Sequence, residues 1–283
     1  MIAKLTLALF TSGLFAQQVD WFAQGNRALD QGKPQEAAID FVQALKTAIE
    51  AGAPAKDRAH LRVTLATAYL EAGAYRETEA VLQEAQNNAG EFTDGVCHVE
   101  LLNAWSALHV KLGQLPAAEA ELKEALPVAM NLTDAGDLPA TVLHNLAAVE
   151  MRTGQYARSL GHESEAMRRL SNTLAPDHPT LIRGWASLAA LQYMMGEPGE
   201  AKESMEHAIR SAENTYGPTH PLLADLLMSD AVVLDKLKLH KDARRARGRA
   251  LKISSVQARA GGDRATWNVR EPSADNAVYL RSK

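Results

Sequence analysis

Nine histidines and one cysteine are the side chains best able to do chemistry in this 283-residue chain. Their spacing decides what chemistry is open to them. Cys97, His98 and Glu100 lie close in sequence, but residues two apart do not share a helix face, so they do not form a joint ligand set. His162-Glu163 lacks the second histidine four residues on that a zinc-hydrolase helix requires. The chain has no glycine-rich phosphate loop and no Gly-x-Ser-x-Gly elbow. The pairs Glu119/Glu121 and Glu163/Glu165 read as solvated helix charge. His178 and His220 each stand before a proline and read as helix-capping or packing residues. This inventory assigns no catalytic, metal-ligating or cofactor-binding residue and predicts a non-enzymatic protein without a cofactor. Cys97 is the only cysteine, so a disulfide within the chain is impossible. It opens the helical stretch Val96–Leu101 and reads as a buried small hydrophobe rather than an exposed thiol.

The elements that carry these residues repeat. Gly32, Gly73, Gly113, Gly154 and Gly196, with Lys238 in the sixth place, follow at steps of 41, 40, 41, 42 and 42 residues. A fixed period in this range marks a solenoid. Within each unit apolar residues recur three and four apart, the helical period. Trp21, Gly25, Ala28, Gly32, Ala37, Phe41 and Ala44 set the pattern in the first unit. The glycine falls where a left-handed cap would end the first of two antiparallel helices. Small residues let the helix axes approach, and stacking the hairpins supplies the core that one hairpin lacks. Gly161, Gly184 and Gly248 fall inside predicted helices, at a cost of about 1 kcal/mol each unless they permit a close contact.

Composition agrees with a packed helical chain: 46% hydrophobic residues but only 5% aromatics, with no stretch of alternating polarity. Met1–Lys4 carries one positive charge and leads into the apolar run Leu5–Phe15, then Ala16. That reads as a secretory signal peptide cleaved after Ala16, too short to span a bilayer. An N-terminal helix packed on the first repeat is the alternative. Net charge is −4, unevenly spread: Lys236–Lys283 holds 13 Lys or Arg against 4 Asp or Glu, a net +9, so the rest carries −13. Lys241, Arg244, Arg245, Arg247 and Arg249 fall on the last helix, where a polar outer face keeps a terminal repeat soluble. Binding of nucleic acid or an anionic surface is the other reading of that basic end.

The repeat resembles the tetratricopeptide repeat, the first unit most closely. The longer period and the segments Asp177-His178-Pro179 and Gly217-Pro218-Thr219-His220-Pro221 are similar to the kinesin-light-chain type, which has longer helices and a Gly-Pro-x-His-Pro linker. The resemblance runs over about residues 19–255. It implies an all-α fold, a right-handed α-α superhelix of about six helix-turn-helix units. These lie at about 18–53, 58–90, 98–131, 139–174, 179–216 and 221–257, within an array of residues 17–257 that follows a signal peptide at 1–16. Residues 258–283 lack helical periodicity and read as a flexible or extended tail.

In that family the first helix of each unit lines a concave groove. The groove positions transfer to Asn103 and Lys111 in the third unit, to Thr141, His144, Asn145 and Arg152 in the fourth, and to Arg183 and Tyr193 in the fifth. Leu143-His144-Asn145-Leu146-Ala147 resembles a Leu-Asn-Asn-Leu-Ala segment whose second Asn grips a peptide backbone; Asn145 takes that place. Lys111, Arg152 and Arg183 suit an acidic partner segment. A chaperone-tail carboxylate clamp is not supported: Asn26 matches one of its positions, but Phe22, His60, Val63 and Thr64 do not supply the rest. The expected function is an exported, periplasmic or secreted scaffold that holds a peptide or protein partner. A regulatory or sensor module working with a separately encoded effector is the alternative.

Overall fold

The computed structural model describes residues 20–259, apart from 89, 91, 93, 94 and 134. The predicted signal peptide, and the predicted tail beyond Arg259, lie outside the described residues. Among the described residues twelve helices follow one another: α1 (Trp21–Asp30), α2 (Pro34–Glu50), α3 (Ala55–Glu71), α4 (Tyr75–Asn87), α5 (Gly95–Lys111), α6 (Leu115–Asn131), α7 (Leu138–Arg152), α8 (Tyr156–Leu170), α9 (Pro179–Met194), α10 (Pro198–Tyr216), α11 (Pro221–Lys236) and α12 (His240–Arg259). No strand occurs among the described residues. Each helix packs on the next, giving six stacked hairpins in an α-α superhelix.

The glycine row ends the first helix of the first five hairpins. Gly32, Gly73, Gly113, Gly154 and Gly196 all have φ between 70° and 84°. The residue after each donates its N–H five residues back, as in Ala74 to Tyr69 and Gln155 to Glu150. That bond satisfies a carbonyl the helix end would otherwise leave open. Lys238, which breaks the glycine row, keeps the geometry: its φ is 63°, and Leu239 donates to Leu234. The cap therefore survives the loss of glycine, and α12 packs against α11 like any other hairpin partner.

Second helices begin with proline in the first turn of α2, α6 and α10, where its missing N–H costs nothing. Their inner faces are built from columns with the glycine period. Ala37, Thr78, Ala118, Ser159, Ala201 and Ala243 form a small-residue column, every member no more than 1% exposed. Two helix glycines permit contacts that a Cβ would block. On Gly25 it would lie 2.5 Å from the Phe41 ring, and on Gly184 it would lie 2.0 Å from Met167 Sδ. Gly161 and Gly248 have open space around the same point and buy no such contact. Cys97 is buried, as expected.

His178 and His220 cap α9 and α11. In each the ring Nδ1 accepts the backbone N–H two residues on, from Thr180 and from Leu222, at 3.2 Å. The His220 ring also stacks on Tyr216, with centroids 4.4 Å apart.

Candidate binding groove

The first helices of successive hairpins touch one another, α3 with α5, α5 with α7 and α7 with α9. Among the described residues no pair of second helices packs as closely. Helices α3, α5, α7 and α9 therefore line the tighter, concave side. This arrangement places Asn103 and Lys111 on α5, Thr141, His144, Asn145 and Arg152 on α7, and Arg183 and Tyr193 on α9.

Asn145 joins two units. Its Nδ2 donates to Asn103 Oδ1 at 2.7 Å, bridging α7 and α5, and its own carbonyl oxygen remains as an acceptor. Arg152 reaches back along the same seam, with Nη1 3.4 Å from the Val110 carbonyl. Thr141 is exposed, and its hydroxyl bonds the Asp137 carbonyl one turn back. Arg183, Lys111 and Tyr193 are half-buried. Arg183 Nε is buried without a hydrogen-bond partner.

His144 is anchored from below. Its Nδ1 lies 2.9 Å and 3.0 Å from the two oxygens of Glu163 on α8, and Glu163 is 1% exposed. The Glu163 charge raises the His144 pKa against the opposing effect of burial, their hydrogen bond adds to the rise, and Arg183 opposes it. The groove thus carries an imidazole that favours its charged form, close to an arginine.

Glu163 corrects the sequence reading, which took the Glu163/Glu165 pair as solvated charge. Its place in the repeat is that of Phe41, Leu82, Leu122 and Met205, all fully buried, at the same steps as the glycine row. That register was the signal that could have revealed it. Glu119 and Glu121 are also largely covered, at 15% and 19% side-chain exposure.

Below the groove, polar pairs cross the middle hairpins at a constant separation of 12 residues. His109 Nδ1 meets Glu121 at 3.0 Å, Glu150 meets His162 Nδ1 at 2.7 Å, and the Gln192 amide meets the Ser204 hydroxyl at 2.7 Å. Glu150 is fully buried and also pairs with Arg158 at 3.1 Å. Among the described residues no three His, Cys, Asp or Glu side chains are placed to hold a metal ion. No described helix is long and apolar enough to cross a membrane. On the other side of the array a cleft of about 430 Å³ opens between α2 and α4, floored by Leu65 and Tyr69 and walled by Val42, Leu45, Ile49 and Val81.

The family model described as "Tetratricopeptide repeat" matches residues 138–214, which is α7 through most of α10. A search of curated proteins finds no match. Solved structures with the same architecture include BtubC (BKLC) from P. vanneervenii, at 17% identity and a TM-score of 0.66, covering 87% of this chain and 94% of that one. The apo form of RapI aligns at 9% identity and a TM-score of 0.61, covering 89% and 72%. A Signal Transduction ATPase with Numerous Domains protein from Pyrococcus horikoshii, with a tetratricopeptide repeat sensor, aligns at 16% identity and a TM-score of 0.64. That alignment covers 90% of this chain and 41% of the other. At these identities the likeness is one of fold.

Proposed function

We propose that this tetratricopeptide-repeat solenoid is an exported, non-enzymatic scaffold that holds an acidic peptide segment of a protein partner in its concave groove. The observation that carries the reading is the polar seam on α5, α7 and α9. There the Asn103–Asn145 bridge sits beside His144, Arg152 and Arg183. An amide acceptor and a set of cations on one side of an extended surface suit a peptide backbone with carboxylate side chains. Affinity comes from many modest contacts along the array. The leader-like residues 1–16 support export.

The test uses the residue 17–283 form as bait against periplasm or culture medium, beside the Asn145→Ala/Arg152→Ala variant. The variant is expected to keep its helical circular dichroism and to lose the captured partner. Equal capture by both forms would sink the groove reading. Mass spectrometry of the exported protein is expected to find Gln17 at its N-terminus; an intact Met1 in that fraction would count against export.

A further inference from the structure

Among the described residues the last helix, α12, has one side uncovered. α12 packs its inner face, Ala243, Ala246, Ala250 and Ile253, into the last core cluster. Its outer face carries Lys241, Arg244, Arg245, Leu251, Lys252 and Val256, all exposed and spaced to form one stripe.

Among the described residues most of the stripe's charge is not neutralised locally; of its cations only Arg245 is paired, with Asp242. Three carboxylates on or beside α12 are already engaged: Asp235 with Arg247 and His240, Asp242 with Arg245, and Glu213 with Arg249. Lys241, Arg244 and Lys252 form no ion pair among the described residues. Lys236, exposed at the end of α11, and Lys238, exposed in the turn before α12, form none either.

A solubilising end cap explains exposed cations but not the aliphatic side chains among them. Leu251 is 66% exposed and Val256 43%. A nucleic-acid backbone would engage the lysines and arginines and offer the leucine and valine nothing. An anionic bilayer surface takes both, cations at the headgroups and aliphatic groups at the acyl boundary. The rest of the chain carries −13 against the +9 of residues 236–283. The same surface therefore repels the body of the array and accepts this end.

We propose that the outer stripe of α12 docks the array, end-on, on an anionic lipid surface. This surface is separate from the groove and does not depend on the reading given to it.

The probe is vesicles of phosphatidylcholine with and without phosphatidylglycerol, co-sedimented with the full chain. The protein is expected to bind only the phosphatidylglycerol vesicles and to dissociate as salt is raised. Lys241→Ala and Arg244→Ala should each weaken partitioning about fivefold, since a basic residue near such a surface contributes about 1 kcal/mol. Leu251→Ser should weaken it about tenfold through lost apolar burial. Both kinds of site are solvent-exposed, so unchanged circular dichroism is expected throughout. Asn145→Ala/Arg152→Ala should bind vesicles like the wild type, so the groove and the stripe can fail separately. Equal binding to neutral vesicles would overturn the proposal. So would vesicle binding unaffected by all three α12 substitutions, or tight nucleic-acid binding unchanged by Leu251→Ser with no vesicle binding.

Discussion

His144 and Glu163 occupy the places in the α7–α8 hairpin that Phe22 and Phe41 occupy in α1–α2. Each pair is separated by 19 residues, the first joined by a 2.9 Å ion pair and the second by rings 5.8 Å apart. An ionic contact has replaced an aromatic one within the same packing. Removing one member of a buried pair strands the other, at a cost of about 3 kcal/mol, whereas replacing both by apolar groups is close to neutral. Glu163→Leu alone, and His144→Phe alone, should therefore each lower stability in urea by that order. The double variant should recover most of the loss. Additive losses in the cycle would show that the two residues are not coupled. The raised His144 pKa sets the pH dependence: the contribution is fully present below 6.5, the ordinary value, and fades as pH rises through the raised one.

Asp230 stands where the preceding units carry Leu65, Trp105, Leu146 and Leu188, all buried. It is 9% exposed, and its Oδ1 has no hydrogen-bond partner. Burial, with the Glu206 charge adding to it, pushes its pKa from 3.8 up to about 6. The folded chain keeps this proton to higher pH than the unfolded chain. Its contribution is thus full below pH 3.8 and is lost as pH rises through about 6. Asp230→Leu should stabilise the array by about 2 kcal/mol near neutral pH. It should also flatten the pH profile of urea midpoints across that range; a destabilised variant would refute the argument.

The histidine caps respond to pH in the opposite sense. Burial lowers the pKa of His178, helped by Arg183, and burial alone lowers that of His220, both from 6.5. Each cap needs an unprotonated Nδ1. Their contribution is present above pH 6.5 and is lost as pH falls through the lowered values. His178→Asn/His220→Asn keeps a capping side chain that does not titrate. Thermal melts of the variant should lose less stability than the wild type on acidification below pH 6.5.

Backbone and glycine positions give four further expectations. Lys238→Gly should stabilise by about 1 kcal/mol, because glycine enters the left-handed region without the Cβ penalty. Gly248→Ala should stabilise by a similar amount, about 1 kcal/mol, having open space and a helical backbone. Gly184→Ala should destabilise by about 1–3 kcal/mol through its clash with Met167, and Met167→Ala should relieve part of that clash. Chemical denaturation of the four variants checks the signs.

The architecture was readable because a left-handed cap favours a residue without a side chain, and glycine meets that preference in five of the six hairpins. His178-Pro179 and His220-Pro221 were readable for a similar local reason: a cap and a first-turn proline act within three residues. The groove helices came from the resemblance, in which the first helix of each unit lines the concave face. The buried polar residues were not legible one at a time. Glu163 lies on a helix dense in charge and Glu150 and Asp230 on mostly apolar ones, and in both settings helical periodicity shows which face is inward without showing that an ionisable group has been admitted to it. The partners His162, His144 and Lys202 come from other helices. Aligning the units column by column brings out Glu163, which stands with Phe41, Leu82, Leu122 and Met205, and Asp230, which stands with Leu65, Trp105, Leu146 and Leu188; Glu150 shares its column with His109 and Gln192 and marks a polar position instead.

The crossing pairs in the middle hairpins also bear on how an array of near-identical parts avoids assembling wrongly. His109 lies on α5 and Glu121 on α6, whereas Glu150 lies on α7 and His162 on α8, so the two hairpins carry the same contact with its poles exchanged. A swapped hairpin that docked α7 on α6 would press Glu150 against Glu121, and α5 on α8 would press His109 against His162. Either error puts like groups together in a largely buried place and forfeits both pairs. The polarity reversal works as a key that lets each helix recognise its own hairpin partner, although the apolar columns around it would accept either.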